Sequence, residues 1–209
     1  ATYDVRIRDA ANIACVITLN GALQITQPAV LSATVARTNI SCFGAGDGTI
    51  TISSPAGGYG TYEYSINGGG SWQSSGNFTA LVPGTYNVRI RDAAHSGCVI
   101  VLNNALQITQ PAVINATVTA SNLTCNGAID GIINITGPTG GYGTYEYSIN
   151  GGISWSGSGL FAGLSAATYN VQIRDKAHTG CVVILNPALV ITQPAVLTAT
   201  VASANVTCF

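Results

Sequence analysis

Six cysteines recur at a fixed spacing and are the residues best able to do covalent chemistry. An interval of 83 residues separates the members of each of two sets, Cys15, Cys98, Cys181 and Cys42, Cys125, Cys208. Cysteines that recur in register indicate structural disulfides in an oxidising compartment, because reducing compartments keep thiols unpaired. Metal ligation is less well supported, since the chain has no C-x-x-C pair and no neighbouring histidine pair. We expect no metal site and no cofactor.

Two pairings of these cysteines remain open. Pairing within a repeat, Cys42 with Cys98 and Cys125 with Cys181, is the default expectation. In a β-sandwich the two positions of one repeat should lie near opposite ends, so the alternative joins Cys42 to Cys181 of the following repeat. The outermost cysteines are expected to find partners outside this chain or in neighbouring chains: Cys15 and Cys208.

Histidines and acidic residues do not complete a catalytic pattern. His95 and His178 each precede a cysteine, as in a Cys–His nucleophile pair, but the first copy has Asn12 at that position. Glu63 lies in a strand and Asp47 in an Asp-Gly turn, so they do not face one cleft as glycosidase carboxylates would. One acid per loop is also too few for a calcium site. We expect no enzyme activity.

Composition excludes further classes of partner. Seven Lys and Arg against eight Asp and Glu give a net charge of −1, too little positive charge to hold a phosphate backbone. No apolar run is long enough to insert into a bilayer. Charged residues make up 7% of the chain and apolar residues 47%, which with abundant Thr, Ser, Asn and Gly is typical of an exported β protein. We expect an extracellular or cell-surface location.

Alternating residues identify the strands that must position the cysteines. Tyr86, Val88 and Ile90 share one face of the stretch 84–92, the period-two pattern of a half-buried strand, and the stretch recurs at 2–9 and 168–175. Other strand-like stretches lie at 31–35, 49–53, 61–66, a weaker one from Trp72 to Leu81, and, in the first copy, 15–19 and 23–26. Six or seven strands per repeat with no helical period predict an all-β, immunoglobulin-like β-sandwich.

The same fold predicts which strands are neighbours. The third strand of such a repeat lies beside the strand 84–92. Glu63 should therefore approach Arg89 or Arg91, and Glu146 should approach Arg174 across the strand pair.

The spacing also predicts the domains: 1–28 as the C-terminal part of a first repeat, 29–111 and 112–194 as complete repeats, and 195–209 as the start of a further one. Consecutive repeats are joined by Gln-Pro-Ala-Val with no Gly/Ser spacer, which predicts a semi-rigid rod of tandem sandwiches. We read the chain as a window from a longer tandem array.

Each repeat resembles the SprB-type repeat of gliding and adhesion surface proteins of Bacteroidota. The resemblance lies in Ser41-Cys42-x5-Gly48, Gly57-Gly58-x3-Tyr62-x-Tyr64-Ser65 and Leu81-x2-Gly84-Thr85-Tyr86-x-Val88-x-Ile90-x-Asp92-x5-Cys98. One departure is the Arg-rich strand face, and another is Ala166-Ala167 at the glycine-containing turn. The resemblance implies secreted, cell-surface, adhesive or filamentous proteins without catalysis.

We therefore expect a structural and adhesive segment of an extracellular filament, with other copies of itself along or across the fibre as partners. The alternative is a carbohydrate-binding module array that contacts cell-surface polysaccharide. Its glycan-stacking surface would consist of Tyr59, Tyr62, Trp72 and their equivalents Tyr142, Tyr145, Trp155. Sequons in register make N-glycosylation possible at Asn39, Asn122 and Asn205.

Overall fold

A computed structural model describes residues 1–207, which fold into strands and turns. In that part of the chain no helix is long and apolar enough to span a membrane. A hairpin of β1 (Thr2–Arg8) and β2 (Val16–Gln24) comes first. Six strands follow in the first repeat: β3 (Ser32–Thr38), β4 (Gly48–Ala56), β5 (Tyr62–Ser65), β6 (Asn77–Leu81), β7 (Gly84–Asp92) and β8 (Val99–Ile108). The second repeat has β9 (Asn115–Ser121), β10 (Gly131–Thr139), β11 (Tyr145–Ser148), β12 (Leu160–Leu164), β13 (Ala167–Asp175) and β14 (Val182–Ile191).

The six strands of the first repeat form two three-stranded antiparallel sheets. Their orders are β3-β4-β6 and β5-β7-β8, which correspond to strands A, B, E and C, F, G of the immunoglobulin fold without strand D. Tyr86 Oη donates to Val82 O at 2.8 Å, the tyrosine corner that marks the start of strand F in that fold. The expected all-β sandwich is confirmed.

The second repeat has the same two sheets, β9-β10-β12 and β11-β13-β14. Ile133 and Ile135 from one sheet and Val171 and Ile173 from the other lie in a single buried cluster. Side chains that alternate along each strand therefore meet between the two sheets, which is how a sandwich forms its core.

The chain divides into two compact units. The first comprises 1–38 and 48–108, and the second comprises 39–47 together with the residues from 109 onward. The strands β3–β8 span residues 32–108 and β9–β14 span residues 115–191, and the segment 39–47 of the first repeat belongs to the second unit. A short loop of one sequence repeat thus contributes to the fold of the next.

The strand β7 has the predicted alternation and the predicted neighbour. Val88 and Ile90 are fully buried, and β5 pairs with β7 so that Glu63 lies opposite Arg91. The Glu63 carboxylate accepts from Arg91 Nε and Nη2, each at 2.7 Å. Glu146 and Arg174 repeat this ion pair at 2.8 and 2.7 Å. The predicted cross-strand pairing of charges is confirmed.

Two expected strand limits are wrong. The strand expected from Trp72 starts only at Asn77, because Gln73 Nε2 donates to the carbonyls of Ser75 and Asn77 and holds the preceding residues in a turn. The expected pieces 15–19 and 23–26 form one strand, β2. It stays continuous through a bulge at which Asn20 Oδ1 accepts from Ala22 N at 2.9 Å.

Candidate functional site: a disulfide groove in the second unit

A disulfide joins Cys42 to Cys181, with 2.01 Å between the sulfurs and 5.3 Å between the Cα atoms. The default pairing within a repeat is therefore wrong, and the alternative pairing with the following repeat is the one observed. The reason is that the loop that carries Cys42 packs beside the turn before β14 and not beside the turn before β8. Within residues 1–207 three cysteines are exposed and unpaired, Cys15, Cys98 and Cys125. Cys208 lies outside the described residues.

We call residues 39–47 the cysteine loop. At its base Asn39 Oδ1 accepts from Thr109 N at 3.1 Å, and Ile40 N donates to Thr109 O at 3.0 Å. Further along, Gly44 N donates to Gln110 Oε1 at 3.0 Å. The loop is thus fixed to the residues that directly follow β8, including the glutamine of the Gln-Pro-Ala-Val linker.

An aspartate closes the cysteine loop on itself. Asp47 accepts hydrogen bonds from both the hydroxyl and the backbone N–H of Ser41. These bonds, the hydroxyl first, lower the pKa of Asp47 below its ordinary value. Thr124 and Asp130 repeat the arrangement in the next copy of the loop and lower the pKa of Asp130 in the same way. These internal hydrogen bonds therefore stabilise the cysteine loop independently of its contacts with other chain segments.

Around the disulfide lies an open groove of about 340 Å³, which we call the disulfide groove. Its walls are the linker residues 111–114, Gly141, the turn residues 180–183, and residues 42–45 of the cysteine loop. These residues are mostly apolar. The groove is therefore an open space that apolar residues from four chain segments line.

The linker is held against the glycine-rich loop at 140–141. Gly141 N donates to Ala112 O at 2.9 Å. Gly140 has a φ of +78°, and a Cβ on it would lie 1.9 Å from Val113 O. Only glycine can take this backbone conformation this close to another backbone. The linker position is thus set by main-chain packing, which the sequence signals only as a pair of glycines.

A buried aspartate connects the glycine-rich loop to the cysteine-bearing turn. Asp175, fully buried at the end of β13, accepts from Tyr142 N through Oδ2 and from Ala177 N and His178 N through Oδ1. The last two bonds fix the turn that places Cys181 at the start of β14. Sequence reasoning assigned Asp175 no role.

The first repeat has the same device in Asp92. Its carboxylate accepts from Tyr59 N at 2.6 Å and from His95 N at 3.0 Å. The hydrogen bond from the Tyr59 backbone, followed by those of the turn, lowers the pKa of Asp92 despite its burial. Asp9 accepts two turn N–H groups in the hairpin β1–β2 as well. In the sequence, an aspartate recurs six residues before each of Cys15, Cys98 and Cys181. This recurrence was the signal from which a structural role of the aspartate could have been predicted.

The histidines of these turns pack against tyrosines. The rings of Tyr142 and His178 stack with 4.1 Å between centroids. Because Cys181 is in a disulfide, it has no thiolate to pair with His178 as a nucleophile. Across residues 1–207, no three side chains of His, Cys, Asp or Glu converge as metal ligands would.

The six aromatic residues proposed as a sugar-stacking surface do not share one face. Tyr62 lies opposite the buried Asp92 on the inner face of its sheet. Trp72 lies on the outer face, where the Arg91 guanidinium covers its ring at 4.4 Å. Tyr59 stacks on its neighbouring histidine at 4.0 Å. The second-repeat equivalents keep these contacts: Tyr142, Tyr145 and Trp155.

The sequon asparagines are exposed but two have structural roles. Asn39 and Asn122 each accept a backbone N–H through Oδ1, from Thr109 and Thr192. Asn205 is exposed without an assigned element. Glycosylation at these positions stays a prediction.

The SprB repeat family model matches residues 34–71 and 117–153, whereas no curated protein and no solved structure matches the chain. The two matches begin 83 residues apart, one within β3 and the other within β9. Each runs through a copy of the cysteine loop and the glycine-rich loop. The SprB repeat model therefore matches the same part of both repeats.

Proposed function

We propose that this chain is a structural and adhesive segment of an extracellular cell-surface filament built from tandem 83-residue repeats, with no catalytic role. The match to the SprB repeat supports a surface adhesin-type protein. The recurrence of one immunoglobulin-like sandwich supports a structural role, since each repeat presents the same surfaces at regular intervals.

The observation that carries the proposal is the Cys42–Cys181 disulfide. It links a loop of the repeat 29–111 covalently to a hairpin of the repeat 112–194. Structural disulfides form and persist mainly in oxidising compartments, which supports an extracellular location. The proposed semi-rigid rod rests on the short Gln-Pro-Ala-Val joint between repeats, which has no Gly/Ser spacer.

Other copies of the chain are the proposed partners, along or across the fibre. Apolar residues make up 47% of the chain and charged residues 7%. Strongly exposed apolar side chains occur throughout, for example Val113 and Phe43 at the disulfide groove. Surfaces with so little charge have little electrostatic repulsion between copies, and their apolar patches favour association.

Polysaccharide binding is less well supported. Tyr62 and Trp72 lie on opposite faces of one sheet, and Arg91 already covers the indole. A stacking platform needs aromatic faces that are open to the same ligand. Cell adhesion is therefore proposed to use repeated surfaces and not an aromatic sugar site.

Small-angle scattering and electron microscopy of the oxidised chain test the proposal, with a glycan array run in parallel. We expect elongated particles that associate as concentration rises, and no glycan binding that depends on Trp72 or Trp155. Strictly monomeric, flexible particles would contradict the filament role. Glycan binding that is lost in Trp72→Ala would favour the carbohydrate-binding alternative.

A further inference from the structure

One buried side-chain nitrogen in the second unit has no hydrogen-bond partner. It is Nδ1 of His178, for which no donor or acceptor among residues 1–207 is in range. The imidazole as a whole is 39% exposed, but Nδ1 is buried and lies 3.9 Å from Oδ1 of the buried Asp175. Buried polar atoms are normally paired, because an unpaired one loses its hydration without compensation. The orphaned nitrogen therefore requires a physical explanation.

The histidine lies where the cysteine loop meets the cysteine-bearing turn. Its ring stacks on Tyr142 with 4.1 Å between centroids, and Tyr142 Oη donates to Ile40 O of the cysteine loop at 3.1 Å. The histidine carbonyl accepts from Cys181 N at 2.8 Å, so His178 begins the turn that ends at Cys181. His178 is therefore part of the attachment that the Cys42–Cys181 disulfide closes.

Two carboxylates from separate chain segments face this imidazole. One is Asp175 at the end of β13. The other is Asp47 of the cysteine loop: hydrogen bonds from Ser41 are the main cause of its lowered pKa, and the charge of the histidine adds a smaller lowering. The other titratable neighbours are the Tyr142 hydroxyl, which donates to the cysteine loop, and Lys176, which is exposed in the same turn. A positive charge on the ring would therefore lie between two negative ones.

We propose that His178 makes the attachment of the cysteine loop pH-dependent: its protonated ring links Asp175 to Asp47 and holds the loop more firmly in acid than in neutral or alkaline solution. In a neutral imidazole one nitrogen donates and the other accepts, whereas both donate after protonation. Protonation therefore gives the buried Nδ1 a proton to direct at Asp175 and places a positive charge beside Asp47.

Acid favours the attached loop because the attached and open states differ in the charges around His178. A proton shifts an equilibrium only as far as it interacts differently with the two states. With the loop attached, the protonated ring has both carboxylates beside it; when the loop opens, the ring keeps Asp175 and loses Asp47. Histidine changes charge between about pH 5 and pH 8, where aspartates stay ionised. This inference goes beyond the proposed filament role and does not depend on it.

The rate at which a reductant cleaves the Cys42–Cys181 disulfide measures the attachment. Cys181 is only 7% exposed, so a reductant reaches the bond mainly after local opening of the loop. The full oxidised chain and its His178→Gln variant are reduced with tris(2-carboxyethyl)phosphine at about pH 5 and about pH 8. Mass spectrometry then follows the alkylated peptides that contain the two cysteines. Because the reductant has the same pH dependence with both proteins, the observable is the rate ratio of variant to wild type.

We expect His178→Gln to be reduced at about the wild-type rate at the higher pH and about two- to fivefold faster at the lower pH, the factor that loss of one partly exposed ion pair implies. His178→Lys, which stays charged, should be reduced more slowly than His178→Gln at both pH values. His95→Gln is the matched control, because His95 stacks on Tyr59 at 4.0 Å and lies 3.6 Å from Asp92 in the first unit. Its rate ratio should be near one at both pH values.

An Asp47→Asn background tests the second carboxylate. In that background, adding His178→Gln should change the rate at the lower pH less than it does in the wild type, as for any two charges that interact. The inference is wrong if the rate ratio of His178→Gln is the same at both pH values, if His95→Gln has the same effect, or if Asp47→Asn leaves the effect at full size. None of these results bears on the filament role, which scattering and microscopy test separately.

Discussion

Gly57 and Gly60 lie in one loop. Alanine substitutions at these two positions allow the free-energy cost of displacing the linker to be measured. Gly57 has a φ of +81°, and a Cβ on it would lie 2.1 Å from Val30 O. Gly60 has a φ of +92°, but no atom lies within 4 Å of its Cβ position. Both alanine variants pay for a left-handed backbone, about 1–2 kcal/mol. Only Gly57→Ala must also displace the linker.

The extra cost of Gly57→Ala follows from what the displacement breaks. The Val30 carbonyl must retreat by about 1 Å to reach ordinary contact, and the adjacent bond from Gly58 N to Ala29 O, 2.9 Å long, is lost with it. A lost backbone hydrogen bond costs about 0.5–1.5 kcal/mol. We therefore expect Gly57→Ala to lose about 1.5–3.5 kcal/mol and Gly60→Ala about 1–2 kcal/mol.

Urea unfolding followed by tryptophan fluorescence measures this difference. A Trp155→Phe background leaves Trp72 as the only tryptophan, so the signal reports on the repeat 29–111. With an m-value of about 1–3 kcal/mol/M, a difference of about 1 kcal/mol separates the midpoints by a few tenths of a molar or more. Equal midpoints for the two variants would show that the linker yields without cost and that main-chain packing does not fix it.

Three further predictions concern the charged pair, the buried carboxylate and the disulfide. A double-mutant cycle on Glu63 and Arg91 should give a coupling of about 0.2–1 kcal/mol that falls in high salt, and a value that does not change with salt would contradict the ion pair. Because hydrogen bonds lower the pKa of Asp92, its stabilising effect is complete above the unfolded pKa of about 3.9 and is lost as pH falls through the lower folded pKa. Thermal stability should therefore drop below about pH 4, and Asp92→Asn should flatten that drop; an unchanged profile would refute its role. Replacing both Cys42 and Cys181 with serine should cost about 5 kcal/mol for a sequence separation of 139 residues, and an unshifted unfolding transition of Trp155 would argue against this.

The sandwich and its strand neighbours could be predicted because local signals agree with the fold. Alternation in β7 identified the buried face, and the pairing of β5 with β7 placed Glu63 beside Arg91 as expected. A period-two pattern depends only on which face of the strand is buried. Because the repeats of this chain show the same pattern at equivalent positions, each copy supports the strand assignment of the other. The residues after Trp72 are an exception. There the side-chain hydrogen bonds of Gln73 stabilise a turn, so that the strand begins only at Asn77.

The disulfide groove could not be predicted in the same way. The repeat against which a loop packs is determined by tertiary structure. A loop that packs against another repeat has no hydrophobic periodicity from which this packing could be predicted. Cys42 lies much nearer to Cys98 in sequence, and a shorter loop is the usual expectation because closure costs less entropy. Asp175 was missed because its partners are backbone N–H groups, which have no sequence signature of their own.

The Cys42–Cys181 bond also determines how the chain would respond to a pulling force. Tension that arrives along the backbone at Cys42 can cross the disulfide directly to Cys181. The residues between them, a sequence separation of 139, are then bypassed by the load.

Reduction of that bond would place the bypassed residues under load. At about 3.3–3.6 Å per extended residue, the bypassed segment holds about 460–500 Å of hidden length. Under force, a reduced chain could therefore lengthen by this segment as its strands unfold, whereas the intact disulfide prevents that extension.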